Sequence, residues 1–330
     1  MQLRFIWLIF TSLFLFSVPT HAATIKIATL SPDGTTWMKK MRGAAKEIAT
    51  RTDNRVKIKF YPGGVMGNEN AILRKMRINQ LQGAAVSSGA LDRYSKNTGL
   101  YSLPFLFNSH KEVLYVRKKM DKLIINDLKK AGLISFGVAE SGFAYILSNQ
   151  PVKDVAELRK LKVWIPDTAS ARNTVKAFKF SPIPLPFSDV LAALQTSLVN
   201  TIAISPIAAI ALQWHTQVKY LTDMPLLYGW ATLVISKRAM NKLKRRDKKI
   251  VNEIMIRTFK EIDIQNQKDN SAALAALKNQ GITFAKPDNN QVAEWKKLAL
   301  QSHTELVSKG FVTKKMYNLI NKYIMKYKKL

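Results

Sequence analysis

Chemistry that makes or breaks bonds needs nucleophiles, bases or metal ligands at set spacings, and this chain of 330 residues supplies few of them. Cysteine is absent, which removes thiol nucleophiles and cysteine-ligated metals. Of four histidines, His21 falls in a segment read below as a removable leader, and His110, His215 and His303 are far apart with no HExxH or paired-ligand spacing around them. His215 directly follows Trp214 at the end of an apolar stretch and reads as packing rather than as a base. There is no Gly-x-Ser-x-Gly elbow, phosphate loop or dinucleotide fingerprint. The expectation is a protein that is not an enzyme and needs no cofactor or metal. What the spacing does offer is a set of turns from strand into helix at Ser31, Gly67 and Pro166, where the free N–H groups of a helix start favour anions.

The elements that hold those turns alternate. Residues 23–29 (ATIKIAT) switch between apolar and polar and predict a strand, the turn Ser31-Pro32-Asp33-Gly34 follows, and a helix is expected over 36–52. Residues 56–61 repeat the strand, and after Pro62-Gly63-Gly64 a helix over 68–77 closes a second unit. Short strands are expected at 84–88, 134–138 and 144–147. A second series opens after Pro151, with a helix at 155–161, a strand at 162–165, helices at 170–178 and 189–197, and strands at 201–204 and 231–236. From Ala239 to about Asn279 the apolar residues recur at helical spacing, Val251, Ile254, Met255, Phe259 and Ile262 sharing one face. Strands alternating with helices of these lengths predict a mostly parallel sheet covered on both faces, and a helix of that length needs two bodies to lean on.

The first stretch bears on the compartment. Arg4 precedes an apolar run from Phe5 to Val18, and Pro19-Thr20-His21-Ala22-Ala23 ends it with small residues, the pattern of a secretory signal rather than of a membrane span. Export to the periplasm is the expectation, with 1–23 removed. The rest is long enough for two domains of about 150 residues, each with a sizeable core, and a monomer is expected. Net charge is +30, and Lys237-Arg238, Lys242 to Arg246, Lys248-Lys249 and the tail from Lys314 to Lys329 concentrate it in helical stretches. These read as solvated helix faces, with docking onto anionic lipid or an acidic partner as the functional alternative. Nucleic acid is not an expected partner of an exported chain.

Four segments, taken together in their order and spacing, resemble one family over almost all of the chain after the leader. They are Tyr61-Pro62-Gly63-Gly64-Val65-Met66-Gly67-Asn68-Glu69, Leu103-Pro104-Phe105-Leu106-Phe107, Leu158-Arg159-Lys160-Leu161-Lys162-Val163, and the run from Pro186-Phe187-Ser188-Asp189 to Leu194-Gln195-Thr196. The family is that of the extracytoplasmic receptors of tripartite ATP-independent periplasmic (TRAP) transporters, the DctP-like group. The resemblance implies an α/β, two-lobed periplasmic-binding-protein-like fold with a long helix spanning both lobes. It also implies a small organic ligand, mostly an acid, held between the lobes and delivered to TRAP permease membrane subunits. The lobes are expected as 24–146 plus about 231–265, and 147–230 plus about 266–330.

One departure from the family bears on the ligand. The arginine that such receptors carry on the strand at 162–165, whose planar fork grips a carboxylate, corresponds here to Trp164. Two further basic positions correspond to Ala144 and Ala90. The segments that the resemblance turns toward the cleft instead carry Phe143, Tyr145, Trp164, Phe187, Trp214 and Trp230. The ligand-binding set expected is therefore Ser31, Trp37, Asn68, Ser87, Asp167, Arg172 and Ser205 with those six rings. Burial against rings holds a ligand by roughly 25 cal/mol per Å² removed from water, so the expected ligand is more apolar than a small dicarboxylate: a fatty or aromatic acid, or a neutral lipid-like molecule. Two alternatives stay open. A typical small carboxylate could be anchored by Arg172, Arg93 or Lys162, or the receptor could serve a different envelope partner.

Overall fold

The alternation in ATIKIAT becomes strand β1 (Ala23–Thr29), whose Ile25 and Ile27 are buried while Thr24 and Lys26 face water. The structure is a computed structural model and describes residues 22–330, so nearly all of the expected leader lies outside the described residues. Helix α1 (Thr36–Arg51) starts where the Thr35 side chain accepts a hydrogen bond from the Met38 N–H, and it buries Met38, Met41, Ala44 and Ile48. The first lobe continues through β2 (Val56–Tyr61), α2 (Glu69–Arg77), β3 (Gly83–Ser87), α3 (His110–Lys130), β4 (Leu133–Ser135) and β5 (Ala139–Ser148). Then come α4 (Val155–Arg159), β6 (Trp164–Pro166), α5 (Ala169–Lys176), β7 (Ile183–Leu185), α6 (Val190–Gln195), β8 (Thr201–Ile204), α7 (Pro206–Ala211), β9 (Tyr220–Thr222) and β10 (Leu227–Ser236). The chain ends in α8 (Lys237–Asn241), α9 (Arg245–Asn279), β11 (Thr283–Ala285), α10 (Asn289–Ser308) and α11 (Lys314–Tyr327).

Strands β2, β1 and β3 are parallel, but β10 runs antiparallel to β3, β4 and β5, and β5 runs antiparallel to β8 and β9. The expected mostly parallel sheet is thus a mixed one, because its two longest strands are the antiparallel connectors. Residues Ala139 to Ala144 of β5 pair with β10 in the first lobe. Tyr145 to Ser148 pair with β8 in the second, so the strand changes sheets at a single peptide link. Parallel strands β6 and β7 join the second sheet through one bridge, Val163 to Thr201.

The pattern around Glu140-Ser141-Gly142 predicted a gap between two short strands, whereas β5 runs straight through it. Gly142 adopts φ +89°, a conformation that costs glycine little, and so it absorbs the irregularity without ending the strand. A Cβ placed there would stand 2.5 Å from the side-chain nitrogen of Asn270 on α9, so the helix packs directly on this bend.

The long helical stretch divides at residues 242–244 into α8 and the 35-residue α9. Val251, Ile254, Met255, Phe259 and Ile262 of α9 enter the core under the first sheet, and Leu277 enters the core of the second. The helix thereby leans on both lobes. Helix α11 packs back on α3, around Met120, Ile124, Met316 and Ile320.

Candidate ligand cleft

Between the two sheets lies a cavity of about 350 Å³. Its first-lobe wall is the start of α2 and the end of β3, where Asn68 caps α2 by accepting from the Ala71 N–H at 2.9 Å. Its floor is the pair of connecting strands. On β5 the lining residues are Ser141, Gly142, Ala144 and Ile146; past the bend at Gly142 they alternate as a strand requires, so Phe143 and Tyr145 point to the opposite side. The second-lobe wall carries Trp164, Phe187 and Ser205, and the far end is closed by Trp295 and Phe311 from α10 and the loop after it.

Of the thirteen residues expected to meet a ligand, Asn68, Ser87, Trp164, Asp167, Phe187, Ser205 and Trp230 line this cavity. The other six do not. Ser31 shares a hydrogen bond with Thr35 at the start of α1, and Trp37 packs against the core of the first lobe. Phe143 meets the edge of the Tyr228 ring at 5.7 Å, and Tyr145 packs in the second core. Trp214 is buried one layer back, stacked on Phe187 at 5.8 Å and edge-on to Trp164 at 5.3 Å. Arg172 pairs with Asp167 and is half exposed.

All three positions where the family pattern would place a cation, Ala90, Ala144 and Trp164, line the cavity, and among the described residues no lysine, arginine or histidine lines it. The other two candidate anchors do not line the cavity: Arg93 donates at 2.9 Å to the side chain of Asn70, which does line it, and Lys162 donates to the Ser197 carbonyl at 3.1 Å. The Trp164, Trp230 and Trp295 indole N–H groups donate to the carbonyls of Leu185, Thr98 and Lys153 at 3.0–3.1 Å, so their hydrogen bonds are spent on the main chain. The rings therefore offer the cavity mostly carbon.

Sequence reasoning missed Glu69, although it stands at the end of a quoted segment beside Asn68. Its carboxylate accepts from the Ser87 N–H at 2.6 Å and the Ser87 hydroxyl at 2.8 Å, and desolvation still pushes it above its ordinary value. Also missed was a contact across the cleft mouth. Asp92, just after β3, accepts from the Ser170 hydroxyl of α5 and from Thr98 at 3.2 Å, and burial pushes it up to about 6. Trp295 and Phe311 carried no signal, since a periodic helical face does not say which cavity it closes.

A cleft between two sheets that share strand β5, with α9 braced across both, is the architecture of a two-lobed binding protein. The chain belongs to the family described as bacterial extracellular solute-binding protein, family 7 (DctP), whose model matches residues 27–309. Among characterised relatives, the sialic acid-binding periplasmic protein SiaP of Vibrio cholerae is 22% identical over 274 residues, covering 81% of this chain and 84% of that protein. Among solved structures, the sugar acid binding protein of Advenella mimigardefordensis, in complex with galactonate, superposes with a TM-score of 0.85 at 18% identity, covering 92% of this chain and 98% of the other. A TRAP solute-binding protein of Shewanella oneidensis with bound succinate gives 0.84 at 16% identity, covering 92% and 99%. At identities this low, the TM-scores establish the shared two-lobed fold.

Proposed function

We propose that this protein is the periplasmic receptor of a TRAP-type transporter and that its cleft takes a compound more apolar than the acids held by the relatives above. One observation carries the ligand reading: the cavity is ring-lined and holds no basic side chain, with alanine or tryptophan at each position where a cation is expected. Burying a carboxylate without a partner costs several kcal/mol, more than one or two neutral hydrogen bonds return. Lobe closure buries the ligand instead, at roughly 25 cal/mol per Å² of apolar surface.

On this reading the lobes comprise 24–146 with about 231–265, and 147–230 with about 266–330, α11 reaching back to α3. The leader over 1–23 directs export, the receptor acts as a monomer, and the loaded form delivers its ligand to the membrane permease. Calorimetric titration tests the ligand class. Binding of medium-chain or aromatic compounds, with succinate and galactonate giving no heat, is the expected result; tight binding of succinate or galactonate alone would mean that Arg172 or Arg93 swings in as an anchor and the proposal is wrong.

A further inference from the structure

The charge of the ligand can be specified beyond its apolar character, and this step rests on the reading just given. Within and around the cavity every carboxylate is already engaged. Both oxygens of Glu69 accept from Ser87, the Asp92 oxygens accept from Thr98 and Ser170, and Asp167 is paired with Arg172. A bound ammonium would find no free carboxylate, and it would have to draw on Glu69, which burial disposes toward its neutral form. A bound carboxylate would find no lysine, arginine or histidine among the lining residues to pair with. Neither sign of charge is matched.

One polar atom is left over. Ser205 is 3% exposed and lines the cavity, and its hydroxyl has no hydrogen-bond partner. It follows β8 and stands immediately before Pro206, the first residue of α7, but its side chain makes no capping bond there. Of the three buried side-chain atoms without a partner among the described residues, Asn270 Oδ1 and Ser302 Oγ belong to residues outside the lining. An unpartnered buried hydroxyl is costly unless something meets it, and a hydroxyl can both donate and accept.

We infer that the cleft selects an electrically neutral ligand, largely hydrocarbon, whose single uncharged polar group, a hydroxyl or carbonyl, meets Ser205. The charge discrimination of the site is then opposite to that of a carboxylate receptor. A neutral polar group satisfies Ser205 and leaves the Glu69–Ser87 and Asp92–Ser170 pairs intact.

The test is calorimetry of the exported protein with matched series that share a carbon skeleton and differ in the end group: alcohols, carboxylates and primary amines of six to ten carbons, straight-chain and phenyl-substituted, with succinate alongside. The expected result is that the alcohol binds, while the carboxylate and amine of the same skeleton are at least about tenfold weaker. Ser205→Ala is expected to weaken the alcohol about three- to tenfold without lowering the melting temperature. Ala144→Arg is expected to reverse the order in favour of the carboxylate. A carboxylate or amine that matches or beats its alcohol overturns the neutral-ligand inference and leaves the apolar reading standing. Failure of all three series, with or without binding of succinate, overturns both. An alcohol affinity unchanged in Ser205→Ala overturns the role given to that hydroxyl.

Discussion

Glu140 and Ala144 stand four residues apart on β5, and they belong to interiors built in opposite ways. Around Glu140 the chain buries charge and pairs it. The Arg117 guanidinium of α3, 5% exposed, donates to Asp263 at 2.9 Å, to Asp121 at 3.1 Å, to the Tyr228 hydroxyl at 3.0 Å and to the Val138 carbonyl at 2.8 Å. Glu140 accepts from Tyr228 at 3.0 Å and from His110 at 2.7 Å. Around Ala144 there are acids and rings but no cation at all. In a chain with 52 lysines and arginines, the cation-free cleft is not a matter of supply. Lysine and arginine on the solvated faces of α8, α9 and α11 cost little, whereas a cation inside must be matched group for group as Arg117 is. The first interior ties α3, β5, β10 and α9 together; the second is left free to be completed by a ligand.

The sharpest way to break this contrast is to remove the buried cation. Arg117→Met leaves Asp263 and Asp121 without a cation beside Glu140, whose remaining basic partner is His110, and urea denaturation is expected to show a loss of about 3–5 kcal/mol. A loss under 1 kcal/mol would mean that the network is solvated and that its comparison with the cleft is void. The connector between the two interiors comes next. Gly142→Ala forces a side chain into φ +89° and against Asn270, and is expected to cost about 1–3 kcal/mol and to weaken ligand binding along with stability.

Between these two sites the amino-acid sequence was legible to very different degrees. Strands β1, β2 and β8 could be read to the residue: β2 and most of β1 alternate between buried and more exposed positions, and β8 is a short, almost wholly buried run. Strand β5 could not, since a glycine in mid-strand looks the same in sequence as a glycine in a turn. Helices α3, α10 and α11 lay in stretches whose lysine-rich faces gave charge rather than partners. For the cleft, the positions read as having lost their cations do line the cavity, as alignment with a family pattern fixes a position along a strand. Three of the six candidates outside the cavity lining share one cause. Phe143, Tyr145 and Trp214 are rings adjacent in sequence to lining residues but turned to the other side of a strand or set one layer behind, and sequence alone does not give that sidedness. Arg172 lies outside the lining for a different reason, its pairing with Asp167.

The pairing of Asp92 with Ser170 sharpens the comparison by a smaller effect. Burial pushes Asp92 up to about 6 when the facing lobe covers it, and opening the lobes returns it to water and toward the usual carboxylate range. Closure therefore takes up a proton. Ligand affinity is expected to be greatest below the ordinary carboxylate range, to fall severalfold as pH rises to about 6, and to be flat above that. The same sign holds for folding, with the favourable contribution lost as pH rises through about 6. Asp92→Asn is expected to abolish the slope; an unchanged slope in that variant would assign it elsewhere.

The smallest expected effect is that of Arg172→Gln. Its guanidinium pairs with Asp167 at the half-exposed mouth, so affinity should change less than about threefold and stability by no more than about 0.5 kcal/mol. A hundredfold loss of affinity would identify Arg172 as the anchor of a carboxylate.

The most direct test of a cation-free, ring-lined cleft is to recover what the protein carries. Native mass spectrometry of the receptor isolated from its own host, followed by organic extraction, is expected to yield an uncharged, largely hydrocarbon compound at one molecule per chain. Recovery of a sugar acid or a dicarboxylate in that stoichiometry would contradict the account.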